Sequence, residues 1–464
     1  MAIEDCQMES LPSTARDTSL WHGFLGYLEQ PVSVAPLVWL RIVFGGVMLL
    51  STLRYMWMGW VDTQLVEPLL HFSYYGFDWV KPLPRLGMYA VFVGMALASV
   101  GIALGWYYRF SALVFFLLFT YVELIDITYY LNHYYFVSLV AFLLIWVPAH
   151  RYCSLDALRC PSLRQETISR WCVLIFQVQI AIVYLYAGLA KINTDWLLHA
   201  LPLSIWLPAK TDLPLIGWML AYPETAYLFS WAGMLFDTFI VLFLVIPQTR
   251  WLAYAAVVVF HTLTGILFQI GIFPVVMMGM ATVFFSPAWH TRLLDRLNGW
   301  LGISASGAVR PAGDRRLMGL MLFFLLFQLL FPWRYLLYSD NHLFWTEEGY
   351  RFSWRVMLIE KAGTATFYVK DRRTGREGVV INDQFLNLHQ EKQMAMQPDL
   401  ILQFAHYLKD HYAQKGLHDA SVRAEVWVTL NGRPAQLLID PQVDLTQKTD
   451  TWTSKDWILP FKNL

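Results

Sequence analysis

Charge is scarce in this sequence: Asp, Glu, Lys and Arg make up 15% of its 464 residues, against about 25% in a soluble globular protein. Hydrophobic residues supply 57% and aromatic residues 16%, which excludes a soluble chain and marks an integral membrane protein that has the lipid bilayer as its partner. Neither sign of charge predominates, with 34 basic and 34 acidic residues. No cationic field exists to hold a nucleic acid backbone, so nucleic-acid binding is excluded. Cysteine is also sparse. Cys6, Cys153, Cys160 and Cys172 are too few and too scattered for a disulfide scaffold and match no zinc-ligand spacing, so neither disulfides nor a metal is expected. The first thirty residues carry Glu4, Asp5, Glu9 and Asp17 in place of the basic-then-apolar pattern of a cleavable signal, and insertion is expected to use an internal helix.

What the chain does have is long apolar runs. A spanning helix needs about 20 mostly apolar residues, and nine such windows precede the last quarter, at 34–54, 87–107, 109–128, 133–149, 171–191, 223–247, 250–268, 270–286 and 316–338. The stretch 201–221 is apolar but broken by Pro202, Pro208 and Pro214, so it reads as a re-entrant or interfacial segment. Basic loops stay in the cytoplasm. The loop with Arg151, Arg159, Arg164 and Arg170, and the loop with Arg292, Arg296, Arg310, Arg315 and Arg316, therefore lie inside. The expected N-terminus is then cytoplasmic and the tail is outside, periplasmic or lumenal.

Hydropathy collapses near residue 339. The chain thus divides into a transmembrane helical domain, 1–338, and a soluble α+β domain, 339–464: a polytopic α-helical membrane protein with a C-terminal extramembrane domain on the outer side. Strands are expected at 364–370 and 376–382, and a helix from Asp399, as N-cap, to about Gln414. A hairpin is expected around Asn431-Gly432. The outer domain has no cysteine and no Asn-x-Ser/Thr sequon, which favours a bacterial inner membrane over the endoplasmic reticulum.

Ionisable and amide groups inside spans point to function or pairing; here they are Arg41, Glu123, Asp126, Asn132, His133, Gln177, Gln179, Lys191, Asp237, His261 and Gln269. Lys191 ends the span that begins inside, so it is expected at the outer boundary, level with Asn132 and His133. His261 falls mid-membrane, and Tyr184 lies two turns below Lys191 on a similar face. Taken singly, a lysine at a span end snorkels to the headgroups, and a lone histidine or tyrosine packs in the bundle. Arg41 and Asp237 lie at comparable depth and are expected to pair, and Gln177 and Gln179 to bond between helices. An amine at the rim of an apolar cavity loses hydration, which disfavours its charged form and lets it accept a proton near neutral pH. Such a base suits a lipid-soluble acid such as a quinol, with Asn132 and His133 placed to orient it.

Over Tyr184-Leu185-Tyr186-Ala187-Gly188-Leu189-Ala190-Lys191-Ile192-Asn193-Thr194-Asp195-Trp196 the sequence resembles the vitamin K-dependent gamma-carboxylases. The likeness recurs in order along the chain: Leu131-Asn132-His133-Tyr134, Arg151-Tyr152-Cys153-Ser154-Leu155-Asp156, Phe260-His261 through Gly271-Ile272-Phe273, Tyr350-Arg351-Phe352-Ser353-Trp354, the hairpin at 371–378, and Asp440-Pro441-Gln442-Val443-Asp444. The resemblance implies an enzyme that oxidises vitamin K hydroquinone with O2 to the epoxide and uses the strong base so formed to remove a γ-proton from a glutamate-containing peptide. The carbanion then adds CO2. It also implies Lys191 as the base on the hydroquinone, with His133 catalytic beside it. Asn132, His133, Tyr184, His261 and Met357 would form the cofactor site, and Tyr350, Ser353 and Trp354 the glutamate site.

Two departures accompany the likeness. Ala190-Lys191 stands where vertebrate members carry two lysines, and Arg355, Val356 and positions 358–361 differ from the vertebrate pattern. The vertebrate enzymes also continue beyond the position of Leu464. Two alternatives therefore stand beside carboxylation: a membrane quinol epoxidase that does not carboxylate peptides, and a non-enzymatic quinone- or lipid-binding protein.

Overall fold

Each of the nine apolar windows is a helix in the computed structural model, which describes residues 15–268, 270–301, 315–338 and 343–462. In chain order they are α1 (Ala35–Trp57), α2 (Arg85–Leu104), α3 (Tyr108–Ile125), α4 (Asn132–Trp146), α5 (Trp171–Ala190), α6 (Pro223–Val245), α7 (Arg250–Phe268), α8 (Phe273–Ala281) and α9 (Arg315–Leu330). Seven of these, α9 with its continuation to Leu337, are long and apolar enough to cross a membrane. The chain is a polytopic membrane protein. Apolar side chains such as Leu97, Phe110, Leu252 and Phe323 stand exposed on the bundle surface, where lipid replaces water as their solvent. The helices α4 and α8 are shorter; 15 residues at 1.5 Å rise reach only about 22 Å. Neither is long enough to cross a bilayer as a regular helix, and irregular backbone at membrane depth is tolerated only where it is covered by protein or lines a cavity.

Between α5 and α6 the proline-broken stretch forms short helices, Thr194–His199, Leu203–Trp206 and Gly217–Leu220. They pack beside the first half of α6: Trp196 donates from Nε1 to the Ser230 carbonyl at 2.8 Å, and Tyr227 donates to the Leu198 carbonyl at 3.1 Å.

The expected Arg41–Asp237 pair is not formed. Arg41 is fully buried and donates from Nη1 to the carbonyls of Ile102 and Ala103, both at 3.0 Å, and from Nη2 to that of Cys153 at 2.6 Å. The first two are carbonyls of the last turn of α2, at the negative end of the helix dipole, and that of Ile102 also accepts from the Gly105 N–H of the cap at 3.1 Å. Arg41 thus satisfies a helix end, and Asp237 is free to pair elsewhere. Gln177 donates to the Val283 carbonyl at 3.1 Å as expected of an inter-segment bond, whereas the buried Gln179 amide has no hydrogen-bond partner among the described residues. Gln269, Cys6 and Arg310 lie outside the described residues.

The C-terminal domain is built on a four-stranded antiparallel sheet in the order β2-β1-β3-β4, with β1 at Lys361–Asp371, β2 at Glu377–Val379, β3 at Ala420–Leu430 and β4 at Gln436–Leu437. Burial along β3 alternates, the mark of a strand with one face on a core. The helices α10 (Leu388–Met394) and α11 (Pro398–Gln414) complete that core, with Phe404 edge-on to Phe367 at 4.9 Å. Asn431 and Gly432 both take positive φ, 50° and 75°, and Arg433 N–H closes the turn on the Leu430 carbonyl. The expected Asp399 cap is corrected: Gln397 occupies the N-cap, and the Asp399 carboxylate in the first turn is taken by Arg351 at 2.6 Å. Two acidic residues beyond the ends of α3 and α5, Asp126 and Asp195, dock this domain on the bundle. Asp195 receives Asn431 at 2.7 Å and Arg433 at 2.6 and 2.9 Å, and Asp126 receives Gln390 at 2.8 Å.

Candidate functional site

The cap of α5 is Lys191, and its buried amine donates to Asp237 Oδ2 at 2.8 Å and to the Ala187 carbonyl at 3.2 Å. The Trp196 ring lies 5.2 Å away. Because Asp237 sits well inside α6, the amine faces the interior of that helix. The short helices after Lys191 pack against the half of α6 that precedes Asp237. One turn before Lys191, Gly188 makes the approach of the two helices possible. A Cβ there would lie 2.4 Å from Thr238 Oγ1, 2.7 Å from Thr238 N and 2.9 Å from Thr238 Cα, and backbone cannot yield as a flexible side chain can. Gly188→Ala is therefore expected to push α5 from α6 and cut turnover by about 10²-fold, since roughly 1 Å of displacement suffices for such a loss. Thermal melting and turnover measured side by side check this, and wild-type turnover would show the close contact to be dispensable.

Two turns along α5, Tyr184 Oη and His261 Nε2 lie 2.7 Å apart, both residues buried. The other ring nitrogen of His261, Nδ1, has no hydrogen-bond partner among the described residues, an orphan that calls for a ligand or water. Phe273 joins this pair to His133, with ring centroids 5.7 Å from His261 and 5.4 Å from His133. His133 and Asn132 open α4 and line a cavity of about 720 Å³ between the bundle and the C-terminal domain. Tyr350, Met357 and Glu123 share its walls, and Glu123 makes no hydrogen bond with the described residues. Lys191 is not among its lining residues. Tyr184, His261 and Phe273 thus run from α5 to His133, while Lys191, two turns further along α5, turns to Asp237.

The segment 350–357 forms a strap along this cavity. Asn132 donates from Nδ2 to the Arg355 carbonyl at 3.1 Å and accepts from Tyr130 at 2.9 Å, while Phe352 N–H donates to Tyr130 Oη at 2.7 Å. Arg334 Nη1 donates to Ser353 Oγ at 3.1 Å, and its Nη2 to the Arg351 carbonyl. Trp354 is buried and stacks on Tyr135 at 5.1 Å. Phe352, Trp354 and Met357, with Glu347 just before them, take φ of 57–58°, each at a cost of about 1–2 kcal/mol for a side chain-bearing residue. Such strain persists only where the surroundings over-determine it and concentrates at functional sites. The strap faces two ways. Tyr350 and Met357 face the first cavity, whereas Ser353 and Arg355 line a second, of about 650 Å³, together with Ala190, Ile192 and Asn193. Burial pushes the Tyr350 hydroxyl well above its ordinary range, so it stays a neutral donor.

Two family models match the chain in tandem: the HTTM domain over residues 29–289, and the lumenal domain of vitamin K-dependent gamma-carboxylase over residues 314–464. The chain belongs to the vitamin K-dependent gamma-carboxylase family. No solved structure matches it.

For a member of the gamma-carboxylase family the implied cofactor is vitamin K hydroquinone, and the first cavity fits a naphthalene-sized diol. Its volume falls within the usual range for small-molecule pockets, about 300–1,000 Å³. Met48, Phe92, Met95, Phe119, Phe268 and Phe273 give it apolar walls, and His133 reaches it with no hydrogen bond spent on the described residues. Sequence reasoning missed Tyr130 and Arg334, two of the side chains that hold the strap. Arg334 falls inside an apolar window, a signal as strong as any of the polar residues singled out there.

Proposed function

We propose that this member of the family carboxylates the γ-carbon of glutamate in a peptide, coupled to oxidation of vitamin K hydroquinone by O2 to the epoxide, with Lys191 taking the hydroquinone's proton. The reading is carried by one observation: the strained strap that carries Tyr350, Ser353 and Trp354 is tied by Asn132 to the cavity that His133 lines. A lipid-soluble reductant and a peptide then have adjoining places. When bound, the hydroquinone supplies with O2 the strong base that removes the glutamate γ-proton. His133, Asn132, Tyr184, His261 and Met357 form its proposed site, and Tyr350, Ser353 and Trp354 the proposed support of the peptide.

For Lys191 to accept a proton, its own must first have somewhere to reside. Asp237 Oδ2, at 2.8 Å, supplies that place: transfer turns two buried charges into an amine and an acid, both cheaper to hold away from water. The four-carbon stem of lysine lets the amine then leave Asp237. Tyr184 and His261 fill the space between this pair and the cavity with groups that can donate and accept. Phe236, stacked on Phe260 at 4.0 Å and edge-on to Tyr184 at 5.9 Å, packs the region with apolar rings. Exclusion of water protects a carbanion from stray protons. The arginine-rich loops support a cytoplasmic N-terminus, which puts the C-terminal domain in the periplasm of a bacterial inner membrane or in an endoplasmic reticulum lumen.

The test is reconstitution in nanodiscs with reduced vitamin K, O2, labelled CO2 and a glutamate peptide. Label incorporated into the peptide together with epoxide is the expected result. Epoxide without label would reduce the protein to a quinol epoxidase, and neither product would leave a quinone-binding protein.

A further inference from the structure

We propose that the second cavity is a carboxylate-binding site anchored by Arg355, and that it holds the side-chain carboxylate of the substrate glutamate. This rests on the reading above and names the residue that selects the substrate. The other arginines around the strap are engaged: Arg351 by Asp399, Arg433 by Asp195, and Arg334 by the oxygens of Phe331, Arg351 and Ser353. Among the described residues Arg355 pairs with no carboxylate and its buried Nε has no hydrogen-bond partner, its guanidinium being hydrogen-bonded to the Tyr335 hydroxyl. The ring of Tyr335 lies 4.7 Å from its guanidinium. A guanidinium keeps its charge in any protein, so a half-buried one that lines a cavity and is given no anion can still take one.

Its surroundings suit a carboxylate. Asn132 fixes the Arg355 backbone through the 3.1 Å bond to its carbonyl, so the cation is aimed by the same residue that borders the first cavity. Ser353 and Asn193 bring hydroxyl and amide groups to the second cavity. The cavity's own carboxylate, Glu348, is already held by Lys455 at 3.4 Å, and the nearby charge of Arg334 adds to the positive potential. The planar fork of an arginine matches the two oxygens of a carboxylate. A volume of about 650 Å³ accommodates a glutamate side chain with its backbone. Ala190 and Ile192 line the same space, while the Lys191 side chain between them turns to Asp237, so the cavity adjoins the backbone, not the amine, of the proposed base.

The experiment is binding of a blocked glutamate-containing pentapeptide, and of the same peptide with glutamine, to the full chain in nanodiscs. The wild-type protein is expected to prefer glutamate at least about ten-fold, and Arg355→Gln to bring the two peptides within about two-fold. Arg355→Lys keeps the charge without the fork and is expected to fall between them, and it serves should the glutamine variant fail to fold. Equal binding of the two peptides by the wild type, or undiminished preference in Arg355→Gln, overturns the proposal. Preference that depends on Arg355 without any CO2 incorporation would remove carboxylation and keep the site. CO2 incorporation with an unchanged peptide KM in Arg355→Gln would remove the site and keep carboxylation.

Discussion

Lys191→Arg is expected to retain the fold and lose hydroquinone epoxidation by about 10³-fold, the scale of a lost general base. Arginine can still face Asp237 across α5 and α6, so the ion pair survives, but it cannot give up its proton. Lys191→Ala is expected to lose the same activity, and it also strands Asp237 as a buried carboxylate, at about 3–5 kcal/mol for one partner of a buried pair removed. The double variant Lys191→Ala with Asp237→Asn removes both charges and separates the two effects: its melting temperature is expected to recover while its turnover does not. Epoxide formation at the wild-type rate in Lys191→Arg would reduce the lysine to a structural cation. The measurement is epoxide yield per enzyme under single-turnover conditions, with thermal melts on the same preparations.

The parts of this molecule legible in its sequence are those set by periodicity and local chemistry. Apolar runs mark all nine helices, and the turn at Asn431-Gly432 is read from two residues that tolerate positive φ. The partners of buried charges are a different matter, because depth along a span does not fix which face a residue presents or how far a neighbouring helix extends. Arg41 and Asp237 share a depth but not a contact. Arg41 is drawn to the last-turn carbonyls of α2, and Asp237 to a lysine brought to it by a glycine three residues earlier. The strap was legible as residues but not as geometry. Its left-handed backbone at Phe352, Trp354 and Met357 has no local signal, since these side chains disfavour that conformation and distant residues such as Asn132, Tyr130 and Arg334 hold it. Asp399 illustrates the same limit, being a sound cap by sequence and the counter-ion of a distant arginine in space.

That ion pair leads to the second large effect, on stability. Burial alone would raise the Asp399 carboxyl, but the charge and hydrogen bonds of Arg351, with a smaller contribution from Lys455, outweigh it and hold the carboxyl below its ordinary value. Arg351 Nη1 donates to Asp399 Oδ2 at 2.6 Å and its Nη2 also reaches Gln397, so one side chain pins the strap to the first turn of α11. A carboxyl with a lowered folded value stabilises the fold above the unfolded value, about 3.9 for aspartate, and that contribution is lost as the pH falls through the folded value. Asp399→Asn is accordingly expected to destabilise the protein by about 3 kcal/mol at pH 7. The gap between variant and wild type should begin to narrow as the pH drops below the unfolded value of about 3.9 and close below the lowered folded value, where the wild-type carboxyl is protonated in the native state as well. Because the strap would lose its anchor, turnover should fall in the same variant at neutral pH, while a chain with Arg351→Met and Asp399→Leu should recover stability without recovering turnover. Thermal melts and amide exchange of the strap at pH 7 and near pH 3 decide the matter. A stability difference that stays constant across that range would mean that the pair does not hold the strap through charge, and that packing around Trp354 holds it instead.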